Sequence, residues 1–149
     1  MKKRYIIIGI IIGIIIIGGI IAMIINNSKK ENINQDEDKY SKGTHHAQIT
    51  IKDYGTINVE LYADIAPITV ANFAKLVNKG FYNGLTFHRI ISGFMIQGGD
   101  PNGNGTGGSD ENIKGEFAQN GVKNTLSHTR GVISMARSMA YNSASSQFF

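Results

Sequence analysis

The 149-residue chain has no cysteine, no tryptophan and only two prolines. Without cysteine there is no disulfide, no thiolate metal site, no cysteine nucleophile and no lipid anchor on an N-terminal cysteine. Excess charge is also missing from most of the chain. From Thr44 onward eight bases face seven acids, so this part is close to neutral and carries no footprint for nucleic acid. The excess sits in front, where Lys2, Lys3, Arg4, Lys29, Lys30, Lys39 and Lys42 face Glu31, Asp36, Glu37 and Asp38. The length leaves room for one domain and little more.

What the chain does have is one long apolar run. Ile6 to Ile25 is uncharged and mostly isoleucine, with glycines interspersed. As a helix it would cover about 30 Å, the thickness of a bilayer's hydrocarbon core. Isoleucine is a mediocre helix former in water, but lipid leaves the backbone no other satisfied state than a helix or closed barrel. Lys2, Lys3 and Arg4 precede it directly, which by the positive-inside rule puts residues 1–5 in the cytoplasm. Residues 6–25 then read as a single-pass transmembrane signal-anchor, and the domain is expected at the cell membrane, outside the cytoplasm. A cleaved signal peptide would have a shorter apolar region and a small-residue cleavage site, and Ala22-Met23-Ile24 is a poor one. Gly9 and Gly13 have the GxxxG spacing of helix dimers. That spacing arises readily by chance in such a run, and a monomer is expected. Residues 26–43 are polar and read as a flexible linker, leaving 44–149 as the folded domain.

Within the domain, Ala47–Ile51 and Ile57–Leu61 alternate apolar and polar residues around the turn cluster Asp53-Tyr54-Gly55, which predicts a hairpin. Val70, Phe73, Ala74 and Val77 fall at helical spacing between Pro67 and Gly80, which predicts one amphipathic helix. Leu85–Ile91 and Phe94–Gln97 read as strands joined at Ser92-Gly93, followed by a glycine-rich loop from Gly98 to Gly108. Gly131–Ala136 and Ser146–Phe149 read as two further strands. Many short strands with one helix suggest a barrel or sandwich with a helical cap.

Several motifs compete. Asp100, Asn102, Asn104, Gly105 and Glu111 fit the spacing of an EF-hand calcium loop, but a strand rather than a helix precedes them. His45-His46 lacks a third metal ligand at a recognisable spacing. His128 lies near Ser127 and Ser134, yet neither serine sits in a nucleophile elbow.

The decisive stretch is Phe87-His88-Arg89-Ile90-Ile91-Ser92-Gly93-Phe94-Met95-Ile96-Gln97-Gly98-Gly99-Asp100-Pro101. It closely resembles the signature of cyclophilin-type peptidyl-prolyl cis-trans isomerases. Asn104–Gly108 resembles the family's next loop. Gly131–Ser138 continuing through Asn142–Phe149 resembles a further block, in the same order. The resemblance runs from Ala47 to Phe149. It implies a mainly β fold, a cyclophilin-like antiparallel β-barrel with a capping helix, here preceded by one transmembrane helix. It implies an enzyme that accelerates rotation of X-Pro bonds in proline-containing polypeptides, assisting the folding of exported proteins. The alternative is a non-catalytic proline-peptide-binding module or membrane-tethered chaperone. No cofactor, metal or nucleic-acid partner is implied. Arg89 would be catalytic. His88, Phe94, Met95, Gln97, Ala136, Arg137, Ser138, Gln147 and Phe149 would bind substrate, with Phe94, Met95 and Phe149 walling the proline slot. Arg137 stands where many relatives carry Asn, which keeps a backbone contact and changes the local charge. Family members continue past the Gln-Phe-Phe block, so on this chain the barrel is expected to be incomplete at its C-terminal side, with poor folding and weak or no activity.

Overall fold

The computed structural model describes residues 22–30 and 39–149. The chain divides into two units, Met1–Gln35 and Asp36–Phe149. In the first, residues 22–30 are helical and exposed, so helix runs through Lys30 into the stretch expected as linker. The expected membrane span lies outside the described residues except for 22–25. Among the described residues no helix is long and apolar enough to cross a membrane.

The second unit begins with an antiparallel hairpin of β1 (Thr44–Ile51) and β2 (Gly55–Tyr62), paired from Thr44↔Tyr62 to Ile51↔Gly55. Alternation sets its faces: His45, Ala47, Ile49 and Ile51 are half-buried, while His46, Gln48 and Thr50 are exposed. On the exposed face Gln48 Nε2 donates to Asn58 Oδ1 at 3.1 Å, and the Thr50 and Thr56 hydroxyls meet at 3.1 Å.

Helix α1 (Pro67–Asn78) follows, burying Val70, Ala71, Phe73, Ala74 and Leu76. Pro67 occupies its first turn, where a missing N–H is harmless. Its N-cap is Ala66, which offers no capping oxygen. The cap comes instead from Glu116, whose carboxylate accepts from Ile68 N at 3.0 Å and Thr69 N at 2.7 Å. Two otherwise orphaned donors are thus satisfied, and a negative charge sits at the positive end of the helix dipole. At the other end Gly80 N donates to Val77 O and Phe81 N to Leu76 O, with Gly80 at φ +68°. This is the doubly bonded left-handed stop that glycine allows.

The apolar face of α1 meets an aromatic cluster built around Phe148, which is 7% exposed. Phe73, Tyr82 and Phe87 stand nearly perpendicular to it, with ring centroids at 5.9, 5.6 and 6.1 Å. Edge-to-face contacts at these distances add to simple burial. Burial also pushes the Tyr82 phenol up, while its hydroxyl donates to Ser146 O at 3.1 Å.

Strands β3 (Arg89–Ile91) and β4 (Met95–Gln97) form a second, short hairpin. Here the structure corrects the expected boundaries, because Leu85–His88 stays outside the ladder. Beyond Gln97 the chain leaves β3 and pairs elsewhere: Gly98 and Phe148 exchange hydrogen bonds at 2.9 and 3.1 Å. The strands expected at 131–136 and 146–149 likewise shrink to isolated bridges. Ser134 and Phe149 exchange two bonds of 2.9 Å, and Ala136 N donates to Gln147 O at 2.8 Å. Past Ala136 the chain turns away, with Ser138 N donating to Ser143 Oγ, so the ladder ends. Among the described residues the result is two two-stranded sheets and three bridges rather than a closed barrel. An open cavity of about 900 Å³ lies between the first hairpin and α1.

Candidate active site

Arg89 and Gln97 are cross-strand partners in the short hairpin, so their side chains share one face. Arg89 Nη1 donates to Gln97 Oε1 at 3.3 Å. Gln97 Nε2 donates to Gln147 Oε1 at 2.8 Å, and Gln147 Nε2 donates to Gly105 O at 3.1 Å and Gly107 O at 2.7 Å. One chain of amides therefore runs from the exposed guanidinium to the glycine-rich loop. It draws together three residues expected at the site, Arg89, Gln97 and Gln147, from segments up to 58 positions apart.

The loop that ends this chain is organised by Asp100, which is 1% exposed. Its Oδ1 accepts from Asn102 N at 2.8 Å, and its Oδ2 accepts from Asn104 N at 3.0 Å and from Gly105 N. Burial alone would push this carboxyl up. The N–H donors of Asn102, Gly105 and Asn104, with His88 nearby, outweigh that and hold it below the usual carboxylate value. The calcium-like spacing noted in the sequence thus has another meaning here, since both oxygens are already engaged by the loop's own backbone. Gly99, at φ +79°, is pressed so closely against Ser146 O that a side chain has no room.

The remaining expected residues divide into three groups. Phe94 is 71% exposed at the tip of the short hairpin, and Met95 and Phe149 are half-buried. His88 turns inward and is half-buried, with a Nδ1 that has no partner among the described residues. Ala136, Arg137 and Ser138 line a second cavity of about 470 Å³, together with Gln97, Gln147 and residues 105–109.

Arg137 shows what sequence reading misses. Its guanidinium lies over the rings of Phe117 and Tyr141, 4.8 and 5.5 Å from their centroids, and donates to Ser138 O at 2.8 Å. Its charge is therefore held by aromatic faces and carbonyls. Its backbone N–H and carbonyl have no hydrogen-bond partner among the described residues.

Comparison with known proteins settles the family. Residues 46–149 match the model of the cyclophilin type peptidyl-prolyl cis-trans isomerase/CLD family. The chain belongs to that family. It is 50% identical over 99 residues to peptidyl-prolyl cis-trans isomerase B of Bacillus subtilis, covering 66% of each chain. It is 46% identical over 125 residues to peptidyl-prolyl cis-trans isomerase-like 2 of Rhizopus delemar, covering 82% of this chain and 23% of that one. A cyclophilin-type isomerase of Cryptosporidium parvum, solved in the presence of the dipeptide Ala-Pro, superposes with a TM-score of 0.61 at 34% identity. That match covers 70% of this chain and 65% of the other. The chain thus spans from 23% to 66% of the length of these relatives. The cyclophilin fold shows here as antiparallel strands with the capping helix α1.

Proposed function

We propose that this cyclophilin-family chain is a peptidyl-prolyl cis-trans isomerase acting on proline-containing polypeptides. The observation that carries the reading is the Arg89–Gln97–Gln147 chain, which holds a cationic donor on the short hairpin that also carries Phe94 and Met95. Rotation about an X-Pro bond breaks amide resonance, a barrier of about 18–20 kcal/mol. No bond is cleaved and no proton is transferred, so a catalyst must bind the twisted amide better than either planar form. In the twisted amide the proline nitrogen regains a lone pair. A guanidinium held in place and aimed at that nitrogen stabilises the twisted state selectively. Arginine suits the task because its fork stays charged, and Gln97 limits its motion.

The slot for the proline ring is assigned to Phe94, Met95 and Phe149. The substrate chain would run past Ala136, Arg137 and Ser138, where the free backbone groups of Arg137 can pair with it. Residues 6–25 would tether the domain as a single-pass anchor at the cell membrane, outside the cytoplasm, with exported proteins as clients. The apolar run behind Lys2, Lys3 and Arg4 supports this.

Replacing Arg89 by Ala should lower turnover of an Ala-Pro peptide about 100-fold or more, as when a fixed donor is removed from a transition state. Peptide binding should persist. Unchanged turnover would overturn the reading and leave the peptide-binding module in its place.

A further inference from the structure

We infer that His128 is a positioning residue for Phe149, orienting the ring that walls the proline slot; this rests on the slot assignment given above. His128 lies on an exposed segment, yet two of its features are committed. Its Nε2 is 2.9 Å from Ser134 Oγ. Its ring stacks on Phe149, with planes 23° apart and centroids 5.8 Å apart. Ser134 is in turn the residue that exchanges both backbone hydrogen bonds with Phe149. The imidazole is therefore fastened to the same rung that carries Phe149 while lying along its ring.

That arrangement answers a specific need. Backbone pairing fixes where the Phe149 Cα sits but not how the ring turns, because the outer torsion of a phenylalanine is broad. A flat neighbour at stacking distance restricts it, and the Ser134 hydroxyl restricts the neighbour. The histidine–serine pair is not the start of a hydrolytic site. Among the described residues no carboxylate hydrogen-bonds His128 to orient it as a base.

The test uses the full chain with His128→Ala, His128→Phe and His128→Gln, assayed on an Ala-Pro peptide beside Arg89→Ala. His128→Ala should lower kcat/KM about fivefold, mostly through KM, the size expected for one aromatic pair. His128→Phe, which keeps a ring but loses the tether to Ser134, should restore part of it. His128→Gln, which keeps only a hydrogen-bonding group, should not. The ring-proton shifts of Phe149 should move in His128→Ala and return in His128→Phe, a readout that needs no turnover. Unchanged kinetics and shifts in His128→Ala, or losses that His128→Phe does not reduce at all, would overturn the assignment. If Arg89→Ala leaves turnover intact, the isomerase reading falls instead, and the Phe149 shifts alone decide the role of His128.

Discussion

The long hairpin and the irregular seam made by residues 98–108 and 142–149 solve the same problem in opposite ways. In β1 and β2 the facing edges satisfy each other by pairing, and no residue of either strand is fully buried. In the seam the backbone has few regular partners and lies deeper. There Asp100 and Ser146 are the most deeply buried side chains, at 1% and 0% exposure. Ser146 Oγ donates to Gly99 O at 2.7 Å, and Asn72 Nδ2 to Ser145 O at 2.6 Å. A buried peptide group must find a partner, so where no ladder supplies one a polar side chain does. Regular structure builds the scaffold, and buried polarity holds the parts next to the site.

The largest expected effect that sharpens this contrast is Phe148→Ala. It removes the ring shared by Phe73, Tyr82 and Phe87 and should cost about 3–5 kcal/mol in urea unfolding. A loss under about 1 kcal/mol would mean that the seam is not packed on the helix. Next is the acid sensitivity of Asp100. Its carboxyl is held below the usual value of about 3.9, so it contributes stability above the unfolded value. That contribution is lost as pH falls through its lower folded value. Stability of the native chain should therefore drop below about pH 4, while Asp100→Asn should be weaker at neutral pH with a flatter acid limb. Parallel acid limbs would remove Asp100 from this role. Glu116→Gln comes third. It leaves a capping oxygen but no charge at the start of α1, and should cost about 1 kcal/mol in thermal or urea unfolding. Smallest is Tyr54→Thr at the 89%-exposed tip of the long hairpin, expected within about 0.5 kcal/mol of the parent. A larger effect there would break the contrast between the two regions.

The sequence was legible where structure is local. Alternation gave the long hairpin, and Pro67, the 3.6-residue spacing and Gly80 gave α1 almost to the residue. Arg89, Gln97 and Gln147 were legible only as parts of family blocks, since no spacing rule joins them. Non-local solutions were not legible. Glu116 caps a helix that starts 49 residues earlier, and nothing near Ala66 announces it. The strands expected near 131–136 and 146–149 shrink to bridges because the chain turns away past Ala136, where Ser138 N is taken by Ser143 Oγ. Phe117 and Tyr141 became partners of Arg137 through folding alone.

The amide chain behind Arg89 has a polarity of its own. Every link donates in one sense, from guanidinium to Gln97, from Gln97 to Gln147, and from Gln147 to two loop carbonyls. Turning one amide over sets oxygen against oxygen on one side and donor against donor on the other, so the links behave as a one-way street. The two glutamines are therefore not interchangeable under the mildest chemical change. A carboxylate at position 97 still receives Arg89 but can no longer give to Gln147. A carboxylate at position 147 still receives Gln97 but confronts the carbonyls of Gly105 and Gly107, pushing the loop away. The first change unhooks the arginine's support at its middle; the second drives it apart at its root.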